Sequence, residues 1–349
     1  MTMNTQPICY DDSAYANARA VLSVLLIATA CAVADVVVGL RGINVGTDTH
    51  VYAGVFLAMR DGFSGTRFEP GFVLLTRLLS ATGMSVVAYQ AALFGLSLVA
   101  AAMTARRYFE YLGATRGYLM FLTAVLMFLF LSPMFVNGSI NAVRQGMASF
   151  LVFAALLSFQ HRQWGRFILY GLVATSLHYS SLLYLAFAPL LLLNLRLQRI
   201  IAGVAFLAYC TGLSMILVRA AVPAVYRAVM SYSAGAVYRA GVRLDFAAFA
   251  MFWYLLPFLA SRMVRHPFGE RIKQSMAVYL VMLLPFFTVG WGNYSNRYLL
   301  APWEAVSFVV AAMCCFSRVP LLRHPLLLRG GLALASGVFV FYVTQQVMI

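Results

Sequence analysis

Apolar runs of about 18 residues or more recur from end to end of this chain, each long enough to cross roughly 30 Å of hydrocarbon. Backbone that crosses lipid must satisfy its own hydrogen bonds, so it forms helices or closed barrels. These runs are too long and too unbroken for barrel strands, which alternate over short segments. The composition agrees: only 10% of the 349 residues are charged, against about 25% in soluble domains. Mean hydropathy is +0.86. The expected fold is an all-α polytopic membrane protein.

The net charge of +15 does not point to nucleic acid, because basic residues in such a chain first report topology. Residues 1–18 hold Asp11 and Asp12 and lack a basic leader, so a short cytoplasmic N-terminus before an uncleaved first span is expected. Residues 19–349 read as one membrane domain, with no internal repeat. Spans are expected at 20–38, 86–103, 117–131 and 142–159, with an outer turn at 133–138. Outer loops are expected at 39–85 and 219–245. Within the first, 72–79 is apolar but interrupted by Arg77, which suits a helix lying in the interface.

The run 167–193 is too long for one span and too short for two full ones. A polar stretch, Thr175 to Ser181, lies in its middle. Two short helices meeting there put Arg196, Arg199, Arg262, Arg265, Arg271, Lys273, Arg318, Arg323 and Arg329 inside. Only Arg219, Arg227, Arg239, Arg243 and Arg297 are then outside, and a single span inverts the ratio. The positive-inside rule selects a short broken helix pair near 167–195. Further spans at 200–218, 246–261, 276–290, 299–316 and 331–348 bring the expected total to about 11 transmembrane helices.

Three polar clusters fall on the outer side of this topology: Gly46 to Tyr52, Asn137 to Met147, and Thr175 to Ser181. Asn141, Arg144 and Gln145 have the spacing of one helical face, and Ser139 is a candidate N-cap. A guanidinium beside a helix N-terminus suits an anion, or else it snorkels to the interface. His178 is the one histidine held between apolar segments. It is either a general base near neutral pH or a packing residue bonded to Tyr179 or Ser181. Asp48 is a base, a sugar-hydroxyl acceptor or a turn cap. Ten arginines lie outside with few carboxylates, which suits phosphate, acidic sugar or anionic lipid. Trp291 to Tyr298 mixes rings with amides, as a glycan edge or an aromatic belt does. Glu304 lies in a span, with Arg297 seven residues earlier as a candidate partner. The five cysteines show no metal-ligand spacing, so no metal or cofactor is expected.

The order of motifs resembles the EpsG family of Wzy-type exopolysaccharide polymerases. The residues are Arg41, Gly46-Thr-Asp-Thr-His-Val-Tyr52, Glu69-Pro-Gly-Phe72, Arg144-Gln145, His178 in a broken apolar run, and Arg297-Tyr298. The resemblance spans roughly 20–310. It implies a bacterial inner-membrane glycosyltransferase with its active site facing the periplasm, joining repeat units carried on undecaprenyl diphosphate. The partners implied are lipid-linked oligosaccharide, the growing polysaccharide, and polysaccharide export or chain-length proteins. On this reading His178, Arg144 and Asp48 are catalytic. Arg41, Tyr52, Glu69, Asn141, Gln145, Arg297 and Tyr298 bind substrate, with Arg41, Arg144 and Arg297 as candidates to stabilise the leaving diphosphate. Two other functions remain open here: a polyprenyl-phosphate-dependent transferase of single sugars, and a flippase for lipid-linked sugar.

Overall fold

The structure, a computed structural model, describes residues 12–63, 65–231 and 241–347, with side chains from residue 20 onward. Of the expected N-terminus, 1–11 lie outside the described residues, as do 232–240 of the second outer loop. About 80% of the described residues are helical, and no strand forms among them. The helices are α1 (Asp12–Leu40), α2 (Thr49–Arg60), α3 (Pro70–Ser80), α4 (Val86–Tyr111), α5 (Tyr118–Phe130) and α6 (Pro133–Ile140). Then come α7 (Val143–Gln160), α8 (Trp164–Leu177), α9 (Ser181–Leu185), α10 (Leu195–Cys210) and α11 (Leu213–Ala221). The last are α12 (Pro223–Ser231), α13 (Leu244–Leu259), α14 (Phe268–Val289), α15 (Leu300–Cys315) and α16 (Pro325–Gln345).

Among the described residues, six helices are long and apolar enough to cross a membrane, or up to eight if two bent pairs each count as one span. The expected total of about 11 is not reached, for identifiable reasons. The turn expected at 133–138 is helix α6, set at 82° to α5. Pro133 sits in the first turn of α6, where its missing N–H costs nothing and its fixed φ starts a new helix. The span expected at 200–218 is α10 and α11, bent by 90°. Gly212 joins them at φ +75, a left-handed conformation that ends one helix and opens the next. The first polar turn of α14 is helical from Phe268 rather than 276, with Lys273 paired to Glu270 at 2.6 Å. α13 is a 16-residue helix with Pro257 inside it. The apolar run at 167–193 does break: α8 ends at His178, whose backbone is extended at φ −157, and α9 begins at Ser181.

The bundle is built round α7. Every residue of it except Arg144 and Gln160 is buried, against α4, α8, α14 and α15. α3 is amphipathic: Phe72, Thr76 and Ser80 are buried while Leu74, Arg77 and Leu78 face outward. At eleven residues it is too short to span, as its sequence suggests.

One close crossing brings the polar segments together. α6 folds back on the start of α7 through Gly138 and Gly146, and a Cβ on Gly146 would stand 2.5 Å from the Gly138 carbonyl oxygen. Only a hydrogen side chain permits that approach, as at small-residue crossings in membranes. Gly146→Val is therefore expected to destabilise the bundle by about 1–3 kcal/mol, the usual cost of overpacking. Thermal unfolding in detergent should show it, while Gly54→Ala, with open space at its Cβ, should unfold like wild type.

Candidate active site

The N-terminus of α3 carries the centre of the site. Glu69 is its N-cap residue, Pro70 opens the helix, and Gly71 lies against α8, where a Cβ would stand 2.3 Å from the Ser176 hydroxyl. This contact seats α3 on the end of α8 and delivers Glu69 to His178. The Glu69 carboxylate, 5% exposed, uses both oxygens. Oε1 is 2.7 Å from His178 Nδ1 and accepts from the Tyr179 backbone N–H at 3.3 Å. Oε2 accepts from Arg144 Nη1. The Arg144 guanidinium also lies over the Phe68 ring at 4.4 Å.

Burial by itself would raise the Glu69 carboxyl. The hydrogen bond to His178, the backbone bonds and the Arg144 charge outweigh it and hold the group at about 2, against an ordinary value of 4.5. Glu69 is therefore ionised near neutrality, and an ionised carboxylate only accepts hydrogen bonds. The proton between the two groups belongs to His178 Nδ1. Neutral His178 then carries its lone pair on Nε2. His178 itself lines an open cavity of about 340 Å³ with Gln145, Asn293, Tyr294, Arg297 and Tyr298.

A second open cavity of about 310 Å³ is lined by Asp48, Tyr52, Arg67, Glu69, Arg144 and Arg297. Three guanidinium groups there face two carboxylates. Arg297 Nη2 lies 4.0 Å from Asp48 Oδ2 and its guanidinium stacks over Tyr294 at 4.7 Å. Asp48 occupies the N-cap position of α2, but its side chain makes no cap hydrogen bond, so its carboxylate remains with Arg297. Tyr52 is buried against Phe68 and Phe72, and burial raises its phenol.

Asn141, Asn137 and Thr49 hold the Gly46–Tyr52 loop against the α6–α7 corner. Asn141 Oδ1 accepts from Thr47 Oγ1 at 2.5 Å and from the Asp48 N–H at 3.1 Å, while its Nδ2 donates to Asn137 Oδ1. Thr49 Oγ1 donates to the Ile140 carbonyl at 2.8 Å. Gln145 Nε2 donates to the Arg297 carbonyl at 2.6 Å, and the Tyr184 hydroxyl to the Tyr298 carbonyl at 3.1 Å. These bonds tether the 3-10 turn Ser295–Leu299 that carries Arg297.

Several expectations are corrected. Asn141 precedes α7 and shares no helical face with Arg144; it is a buckle for the Asp48 loop. Ser139 caps nothing: it lies inside α6 and donates to the Phe135 carbonyl. Arg41 lines neither cavity, because its guanidinium turns back onto the Val38 carbonyl at the end of α1, and burial holds it down at about 10. His178 pairs with Glu69, not with Tyr179 or Ser181 side chains. Trp291 is 1% exposed and packed on Tyr226, so it belongs to neither a glycan edge nor an interfacial belt. Arg297 turns to Asp48 because the 3-10 turn before α15 breaks the helical register, and Glu304 is left buried beside Gly138 without a hydrogen-bond partner. Arg67 is one of the ten outer arginines, and its place in the site is signalled in the sequence only by its position two residues before Glu69. Among the described residues no group of three or more His, Cys, Asp or Glu is placed to hold a metal.

The sequence model of the EpsG family matches residues 24–320. No curated protein matches the chain. No solved structure matches it either.

A carboxyl depressed by its native partners stabilises the fold above its ordinary value and ceases to as pH falls through the depressed one. The contribution of Glu69 should be complete above pH 4.5 and vanish toward pH 2. The gap in unfolding temperature between wild type and Glu69→Gln should therefore close as pH falls from about 5 toward 2. Thermal scans in detergent across that range measure it.

Proposed function

We propose that this chain, which belongs to the EpsG family of Wzy-type exopolysaccharide polymerases, joins repeat units carried on undecaprenyl diphosphate at the periplasmic face of the bacterial inner membrane. The observation that carries the reading is the Glu69 carboxylate bonded at once to His178 and Arg144, beside cavities that share Arg297.

The reaction has two electrostatic demands. The acceptor hydroxyl must lose its proton as it attacks the anomeric carbon, and the departing diphosphate must take up negative charge. His178 Nε2 meets the first as a general base, with Glu69 holding the ring in the required tautomer and stabilising the imidazolium that forms. Glu69 is a positioning residue, since both of its oxygens are already bonded. Arg144 and Arg297 meet the second by presenting fixed positive charge where the leaving group develops. Asp48 keeps Arg297 turned toward the site. Gln145 and Tyr298 flank the reacting sugars.

The orientation rests on charge. α7 is about 27 Å long; its far end meets Arg107 through Ser158, Arg162 and Arg166 follow it in the chain, and His161 at its end feels the charge of Arg271. A basic cluster of this kind favours the cytoplasmic side, which turns the Arg144 end toward the periplasm.

The test is the polysaccharide profile of a deletion strain complemented with wild type, His178→Ala or Arg144→Ala, with membrane immunoblots of each. The deletion should leave single lipid-linked repeat units, and only wild type should restore long chains. Loss of the general base should cost about 10²–10⁴-fold in rate. Wild-type chain lengths from both variants would exclude this mechanism. A deletion strain without any complete repeat unit would move the protein to an earlier, single-sugar step.

A further inference from the structure

The two cavities differ in chemistry as sharply as the two substrates of a glycosyl transfer do. The one between α2, α3 and α7 is polar and cationic: Arg67, Arg144 and Arg297 with Asp48 and Glu69. Its three guanidinium groups exceed its two carboxylates by one positive charge, which suits an anionic ligand. The other has no arginine except Arg297. It offers the His178 ring, the amides of Gln145 and Asn293, and the Tyr294 and Tyr298 rings. Amides bond hydroxyl groups and aromatic rings cover the apolar faces of pyranoses.

The outer wall of this second cavity is α12, contributing Val225, Ala228 and Val229. No side chain of α12 is buried, so it is not a core element. It is nonetheless seated on the turn that leads to Arg297. Tyr226 packs on Trp291 with ring centroids 5.3 Å apart, and a Cβ on Gly292 would stand 2.5 Å from Val229 Cγ1. Glycine at 292 lets the helix come down against the backbone of the site.

We propose that the two cavities are separate subsites that meet at Arg297. The cationic one holds the diphosphate of the donor, the tyrosine- and amide-lined one holds the acceptor sugar, and α12 determines which acceptor sugar fits. The assignment rests on the glycosyl-transfer reading above. In the step, the acceptor oxygen forms its bond to the anomeric carbon while the bond from that carbon to the diphosphate oxygen breaks. The electron pair leaves with the diphosphate beside Arg297, and the hydroxyl proton goes to His178 Nε2. The base thus lies in the acceptor subsite, where the proton is released. The cations lie where the negative charge arrives.

The test separates the two ligands. Lipid-linked repeat units extracted from the deletion strain serve as donor. The same oligosaccharide, freed of its diphosphate by mild acid, serves only as acceptor. Inorganic pyrophosphate is a binding probe for the cationic subsite alone. The full-length protein in detergent is compared with Ala228→Trp, Val225→Trp and Arg67→Ala; all three sites are exposed, so folding is spared. The tryptophan variants should raise KM for the free acceptor by roughly tenfold and leave pyrophosphate affinity unchanged. Arg67→Ala should weaken pyrophosphate and raise the donor KM by roughly tenfold, with the acceptor KM unchanged. The opposite pattern, or parallel changes in both constants, overturns the assignment. Pyrophosphate binding indifferent to Arg67→Ala overturns the diphosphate subsite by itself. A wild-type protein that binds pyrophosphate through Arg67 but forms no glycosidic bond overturns the polymerase reading instead, and with it the acceptor subsite.

Discussion

A carboxylate buried to 5% exposure can stay ionised only if its charge is answered on the spot, and Glu69 is answered twice. The pairing with Arg144 and His178 locks the start of α3 to the start of α7 and the end of α8. Glu69 lies 75 positions from Arg144 and 109 from His178, so the pairing ties α3 to a helix pair far along the chain. Removing either partner leaves a buried charge short of its compensation, a larger penalty than the loss of a surface ion pair. The position of the site therefore depends on one side chain that takes no proton itself.

Around this centre the backbone is arranged to bring polar groups together among apolar helices. Irregular backbone is tolerated there only where protein or a cavity surrounds it. The break at His178 is covered by α3 through the Gly71 approach to Ser176, and the α6–α7 corner by the loop that Asn141 and Thr49 tie down. The 3-10 turn bearing Arg297 hangs from Gln145 and Tyr184. The loop and the 3-10 turn thus each take two polar side chains to hold backbone in place.

Much was legible before any coordinates. Length and apolarity of the runs dictate helices in a membrane, because hydrocarbon admits little else. The polar break inside 167–193 follows from charge counting; His178 stands out because apolar segments hold it on both sides, Arg144 because it opens an apolar helix, and Asp48 and Arg297 because they lie in the outer loop and outer turn with few opposite charges nearby. Helix counting failed where local chemistry outweighed apolarity: Pro133 starts α6 inside an expected turn, and Gly212 folds one apolar run into two helices. Register failed for a similar reason, since the 3-10 turn at 295–299 carries Arg297 away from Glu304.

The sequence by itself determined a helical membrane chain, the break at His178 and most of the residues that gather at one end, because hydropathy, breaker residues and charge bias act locally and can be summed along the chain. Only the tertiary structure decided who meets whom. Glu69 and His178 are more than a hundred positions apart, and neither periodicity nor composition couples them. Their meeting depends on a crossing that Gly71 permits, and the desolvation that makes the pairing obligatory exists only once the helices have packed.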